Sequence, residues 1–101
     1  MKLNLMERLV VLQILPQEGN FATLKIVRKL QETLSPSEEE FKEFEIVQDG
    51  EQVRWNPKGL EEREVELGDK AKEIVAEALK KLDKDNKLTP QLILVYEKFV
   101  V

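Results

Sequence analysis

The chain has 101 residues, of which 42% are hydrophobic and 36% charged, and it contains neither cysteine nor histidine. The length suits a single domain, residues 1–101, with one hydrophobic core. The missing residue types exclude disulfides, thiol chemistry, cysteine-containing zinc sites and the nucleophilic arrangements that need histidine. No carboxylate set has a distinctive metal-ligand spacing. We therefore expect a protein that is not an enzyme and that holds no cofactor and no metal.

The net charge of −4 hides a segregation of charge along the chain. Residues 1–34 have a net charge of +2, residues 35–66 have −7, and residues 67–101 have +1. Such an acidic middle third repels phosphate backbones and attracts basic partners. The alternative interpretation is that these carboxylates form a solvated face that serves only solubility.

The N-terminal segment superficially suggests a signal peptide. Glu7 and Arg8 interrupt its apolar residues, however, and no small-residue cleavage site follows. No strictly apolar run is longer than the four residues of positions 9–12, whereas a membrane span needs about 20 apolar residues. We therefore expect a buried helix here, a protein that stays in the cytoplasm, and no membrane partner.

Capping and periodicity predict two helices at the start of the chain. The first covers residues 5–15, with Asn4 and Glu7 as a reciprocal cap and Pro16 as its end. Its apolar residues occupy nearly every face, which is typical of a core helix. The second covers residues 21–34, and its predicted inward stripe is Phe21, Leu24, Val27, Leu30 and Leu34.

A third, shorter helix is predicted to start in the segment of residues 35–38. Ser35 is the expected N-cap and Pro36 the first helical residue, followed by a glutamate at the third position. The glutamates of its first turn are favoured by the helix dipole and need no ligand to explain them. Phe41 and Phe44 are expected to form the inward side.

The clearest local signal is Asp49-Gly50 between two alternating runs, which predicts a β-hairpin with a type I′ turn. Counting outward from that turn gives a register with one apolar and one charged face. The expected cross-strand pairs are Phe44–Trp55, Glu45–Arg54, Ile46–Val53, Val47–Gln52 and Gln48–Glu51. Trp55 is expected in the core; if its face is open instead, it becomes a protein-binding anchor.

The rest of the chain predicts one more strand and two more helices. Residues 64–67 alternate and are expected to add a third antiparallel strand. A helix over residues 70–83 follows from its unbroken apolar spacing, and Thr89-Pro90 begins the last helix. The expected fold class is therefore α+β, with three N-terminal helices, a three-stranded antiparallel meander and two C-terminal helices.

The acidic middle third is the main candidate binding surface. A protein partner is expected to bind there, and the candidate residues are Glu38, Glu39, Glu40, Glu43, Glu45 and Arg54. A homodimer is also left open, because the first helix is almost entirely apolar and the chain ends in Val100-Val101.

An alternative function is nucleic-acid binding. Three helices followed by a hairpin, over residues 5–56, resemble the element order of the winged-helix family, whose third helix enters the major groove. The corresponding helix here is rich in glutamate, which argues against a nucleic-acid partner. The residues that keep this alternative open are Lys25, Arg28 and Lys29, which share one face of the second helix.

Four stretches distributed over nearly the whole chain resemble small uncharacterised proteins encoded in bacteriophages and prophages. They are LPQEGNFATLK (residues 15–25), VRWNP (residues 53–57), ALKKLD (residues 78–83) and YEKF (residues 96–99). The resemblance implies expression in a bacterial cytoplasm and an accessory role. It implies no activity and no site residues.

Overall fold

The computed structural model describes residues 1–101 and has an α+β fold. Five α-helices pack with two small antiparallel sheets and one 3-10 helix. The helices are α1 (Leu5–Ile14), α2 (Phe21–Leu34), α3 (Glu38–Glu43), α4 (Asp69–Lys84) and α5 (Pro90–Phe99). The strands are β1 (Lys2–Leu3), β2 (Val47–Asp49), β3 (Gln52–Arg54) and β4 (Arg63–Glu64), and the 3-10 helix covers Pro57–Leu60.

The predicted cap of α1 is confirmed. The Glu7 backbone N–H donates to Asn4 Oδ1 at 2.8 Å, and Glu7 Oε1 accepts from the Asn4 backbone N–H at 2.9 Å. These reciprocal bonds satisfy two backbone donors that the helix itself cannot pair. The predicted α2, α4 and α5 are confirmed as well, with ends that differ from the expected ones by at most one residue where an end was predicted.

The predicted start of α3 is wrong by two residues. Ser37, not Ser35, is the N-cap, and its hydroxyl accepts from the Glu40 backbone N–H at 3.2 Å. Ser35 ends α2 instead, because its own hydroxyl donates to the Gln31 carbonyl oxygen at 2.6 Å. Two serines flanking Pro36 give two possible caps, and the one that allows reciprocal pairing with Glu40 is used.

The predicted three-stranded meander is also wrong. The strands form two separate two-stranded sheets, and β4 pairs with β1, not with the hairpin. Leu3 lies opposite Arg63 and Lys2 opposite Glu64, and the N-terminal ammonium binds Glu64 Oε1 at 2.8 Å. Because β1 has only two residues before the Asn4 cap, it has too little alternation to be recognised in the sequence.

The hairpin exists, but its predicted register is wrong by a shift of the turn. The two residues between the strands are Gly50 and Glu51, and the Asp49-Gly50 turn expected from sequence is not formed. The observed pairs are Val47–Arg54, Gln48–Val53 and Asp49–Gln52. Gly50 has a φ of +63°, a conformation that glycine adopts without steric cost.

The shift of the turn has a tertiary cause. Phe44 does not enter a strand but forms the C-cap of α3, where its side chain is 1% exposed. Glu45 then takes a left-handed φ of 51°, so the first strand starts only at Val47. A cross-strand pair stabilises a hairpin by about 0.2–1 kcal/mol. Burying an aromatic ring contributes more than this, so the burial of Phe44 decides the position of the turn.

A single cluster of 13 buried hydrophobic residues is built mainly from α1, α2, α4 and α5. Two aromatic residues that were expected to face inward are exposed instead. Phe21, at the start of α2, is 83% exposed, and Phe41 on α3 is 48% exposed. No helix combines the length and the apolar character needed to cross a membrane.

Candidate functional site

A buried arginine connects α1 to the acidic segment. Arg8 is 5% exposed, and its guanidinium donates to both carboxylate oxygens of Glu40, at 2.7 and 3.1 Å. It also donates to the carbonyl oxygens of Leu34, at 3.0 Å, and Ser35, at 3.2 Å. The planar guanidinium therefore caps the carbonyl oxygens at the C-terminus of α2 and also binds the first turn of α3.

The charge of Glu40 is stabilised by this contact. The hydrogen bond from Arg8 lowers the pKa of Glu40 from 4.5 to about 2, against the opposing effect of burial. This lowered pKa includes smaller contributions from a backbone hydrogen bond of Ser37 and from the charges of Arg8 and Arg63. Glu40, one of the candidate binding residues, is therefore already paired with an arginine of the same chain.

Arg63 of β4 engages a second candidate residue. Its guanidinium lies 2.8 Å from Glu43 Oε1 and 3.8 Å from Glu40 Oε2. The same group lies over the ring of Phe44, 4.6 Å from the centroid, which is a cation–π arrangement. Together, Arg8 and Arg63 fix the orientation of α3, and neither was singled out from the sequence as a site residue.

A third ion-pair group holds the two ends of the chain together. Lys98 of α5 lies 2.9 Å from Glu7, which is 2% exposed, and it also pairs with Glu62 and donates to the Lys2 carbonyl oxygen. Burial opposes the charge of Lys98, but the hydrogen bonds to Glu62 and Glu7 outweigh it and raise its pKa. The hydrogen bond from Lys98 lowers the pKa of the exposed Glu62.

Three of the candidate carboxylates remain free of ion pairs. Glu38 and Glu39 are exposed in the first turn of α3, and Glu45 is exposed just after that helix. The predicted Glu45–Arg54 pair is wrong, because Arg54 forms an ion pair with Asp49 instead. Glu45 accepts only a long 3.4 Å hydrogen bond from the Asn56 amide.

Glu38, one of these free carboxylates, lies beside an exposed ring. Glu38 and Phe41 lie one helical turn apart on α3. The Phe41 carbonyl oxygen accepts from the Ile46 N–H at 3.0 Å, so the segment that leads into β2 lies next to the end of α3. Phe41 is 48% exposed, and Val47, which begins β2, is 57% exposed. We call this surface the acidic face and define it by Glu38, Glu39, Phe41, Glu45 and Val47.

The opposite side of the hairpin faces α1. Alternation places Val53 and Trp55 on this side, and together with Met6 and Leu9 they line a shallow groove of about 340 Å³. The other edge of Trp55 packs on Gly59, where a Cβ atom would lie only 2.4 Å from the indole Cδ1. Trp55 is therefore half-buried against the 3-10 helix and α1, and it lies outside the acidic face.

The basic candidates lie on another part of the molecule. Lys25, Arg28 and Lys29 are exposed on α2, and none of them forms an ion pair. Lys25 and Lys29 line a groove of about 370 Å³ between α2 and the start of α4, and Lys70 of α4 lines it too. We call this the basic groove. The sequence pattern did not identify Lys70, because only the packing of α4 on α2 brings it there.

Comparison with known proteins adds no functional assignment. No protein-family model, no curated protein and no solved structure matches the chain significantly.

Proposed function

We propose that this protein is a small non-catalytic interaction domain that binds the basic surface of a partner protein through the acidic face. The observation that supports this function most directly is the exposure of Phe41 one helical turn after the unpaired carboxylate of Glu38, with the unpaired Glu39 in the same first turn of α3. An aromatic ring with a charged rim is a common arrangement of a protein-binding anchor. The rim charges would steer a basic partner and fix its orientation.

The division of the acidic residues into two groups refines the binding surface. Glu40 and Glu43 are held by Arg8 and Arg63, so their charges are already compensated within the chain. Glu38, Glu39 and Glu45 are available to a partner. Arg54, paired with Asp49 on the outer side of the hairpin, would lie at the edge of the contact.

The experiment is a titration with a dye-labelled amphipathic peptide made of lysine and leucine, followed by fluorescence anisotropy. Glu38→Gln/Glu39→Gln should weaken binding about threefold to tenfold, because each exposed ion pair is worth about 0.2–1 kcal/mol. Phe41→Ser should weaken it by at least about tenfold, since an apolar anchor is lost. A peptide of glutamate and leucine should not bind.

The matched control is Glu77→Gln/Glu97→Gln, which changes the net charge equally at two exposed glutamates outside the acidic face. This variant should bind like the wild type. Equal affinity of the wild type, the Glu38/Glu39 variant and the Phe41 variant would contradict the proposal.

We further propose a bacterial cytoplasm as the setting and a phage-encoded accessory role. The support is the resemblance of residues 15–25, 53–57, 78–83 and 96–99 to small phage and prophage proteins. The genomic neighbourhood of the coding sequence tests this part. Location among phage structural or regulatory genes is expected, and location in a conserved metabolic operon would contradict it.

A second candidate function is nucleic-acid binding through Lys25, Arg28 and Lys29. Its support is that all three cations are exposed and lack an ion pair within the chain. Salt-sensitive retardation of duplex DNA in a gel, lost in Lys25→Gln/Arg28→Gln/Lys29→Gln, would favour this function over the first. Against it, α3 has only six residues and presents Glu38 and Glu39 outward.

A further inference from the structure

The basic groove combines an apolar floor with a positive rim. Leu30 and Leu67 contribute to the floor, and Lys25, Lys29 and Lys70 form the rim. The only acidic residue that lines the groove is Glu66. A ligand that matches both features presents an apolar group with carboxylates beside it.

The positive charge of the groove is poorly compensated within the chain. Lys25 and Lys29 are one helical turn apart, where like charges repel, and neither forms an ion pair. Lys70 has only a 3.7 Å contact with the exposed Glu73, a kind of pair that contributes little. Opposite charges brought to this rim would remove the repulsion.

The acidic face of the same protein has the complementary composition. Phe41 is an exposed apolar group, the unpaired carboxylate of Glu38 lies one helical turn before it, and Glu39 adds a second unpaired carboxylate in the same first turn of α3. We propose that the protein self-associates, with the acidic face of one copy docked in the basic groove of another. Phe41 would lie on the floor beside Leu30 and Leu67, and Glu38 and Glu39 would meet the rim lysines.

This inference rests on the proposed function, since it names the partner of the same acidic face. It also accounts for the segregation of charge, because residues 35–66 supply the acidic face and Lys25 and Lys29 lie in the positive segment of residues 1–34. A net charge of −4 and the carboxylate of Glu66 make the groove a poorer site for a nucleic-acid backbone than for a carboxylate-bearing surface.

The test is a charge exchange between two variants, followed by sedimentation velocity and light scattering. One variant is Lys25→Glu/Lys29→Glu, and the other is Glu38→Lys/Glu39→Lys. Each variant alone opposes like charges across the contact and should self-associate at least about tenfold more weakly than the wild type. Mixed in equal amounts, they should associate again, because each variant supplies the charge that the other needs.

Two matched controls separate this contact from a general effect of charge. Lys80→Glu/Lys84→Glu reverses two exposed lysines one turn apart on α4, and Glu77→Lys/Glu97→Lys reverses two exposed glutamates. Both controls should self-associate like the wild type. All the substituted side chains are exposed and lie outside the ion pairs of Arg8, Arg63 and Lys98, so the variants should remain folded.

The wild type should change from the 11.8 kDa monomer to at least twice that mass as its concentration rises, and added salt should weaken the association. A monomer at every concentration, or a mixture that fails to associate, would overturn the inference. If such a monomer still binds the lysine–leucine peptide through Glu38 and Glu39, only self-association is wrong. If that peptide binding is also absent, the proposed function is wrong as well.

Discussion

Glu40→Gln removes the carboxylate that the buried Arg8 guanidinium holds in two hydrogen bonds. The pKa of Glu40 is lowered from 4.5 to about 2, and one pKa unit corresponds to about 1.4 kcal/mol. The ionised form therefore stabilises the fold by roughly 3 kcal/mol at neutral pH. A glutamine oxygen still accepts one hydrogen bond, so we expect a loss of about 2–3 kcal/mol in the free energy of unfolding.

The same contact predicts how stability depends on pH. Because the pKa of Glu40 is lower in the folded than in the unfolded state, its stabilising contribution is present above about pH 4.5 and is lost as pH falls towards 2. The wild type should lose this contribution across that window. Glu40→Gln should lack this part of the acid dependence, while other carboxylates, such as Glu62, still contribute.

Urea denaturation followed by the fluorescence of Trp55, the only tryptophan, measures both effects. The control is Glu38→Gln, which changes a neighbouring glutamate of the same helical turn that is exposed and unpaired. This control should change stability by less than about 0.5 kcal/mol. The reasoning is refuted if Glu40→Gln and Glu38→Gln have the same stability at neutral pH.

Three further substitutions have expected outcomes that denaturation curves can check. Gly59→Ala should cost about 1–3 kcal/mol and shift the Trp55 emission, because the added Cβ would lie 2.4 Å from the indole; an unchanged midpoint and spectrum would contradict this packing. Lys98→Met leaves the buried Glu7 without its cation and should cost about 2–4 kcal/mol, whereas stability equal to wild type would show that the pair is not formed in solution. Gly50→Ala places a side chain at a φ of +63° and should lower the free energy of unfolding by about 1–2 kcal/mol. Stability equal to that of the wild type would show that this turn conformation is not required.

The helices could be predicted from the sequence because their signals are local. The Asn4–Glu7 cap, the apolar spacing of residues 70–83 and the Thr89-Pro90 start each lie within one or two helical turns. Each of these signals depends only on residues of the helix that it predicts, and not on contacts with distant residues. The α+β class follows from them together with the hairpin signal.

The sheets could not be predicted correctly because their pairing depends on distant contacts. β4 pairs with β1, some sixty residues earlier in the chain, and nothing in its own alternation distinguishes that partner from the adjacent hairpin. The hairpin register depends on where the Phe44 ring is buried, and this burial moves the turn from Asp49-Gly50 to Gly50-Glu51.

Three residues of the acidic face, Glu38, Glu39 and Glu45, were candidates from the sequence, whereas Phe41 was expected to face inward. The division of the candidate glutamates into free and paired residues was not predicted. Glu38, Glu39, Glu40 and Glu43 have similar sequence surroundings, and only the fold brings Arg8 and Arg63 to the last two. One signal was present in the sequence. Arg8 lies, with Glu7, in a helix that is apolar on nearly every face, and a buried guanidinium requires an anionic partner or carbonyl acceptors.

The acidic face is the proposed binding surface of this protein. The most direct measurement is the amide chemical-shift map of the ¹⁵N-labelled protein during titration with the lysine–leucine peptide. The saturable shifts should concentrate at Glu38, Glu39, Phe41, Glu45 and Val47. Shifts concentrated on α4 and α5, or no saturable shifts at all, would show that the peptide does not bind the acidic face.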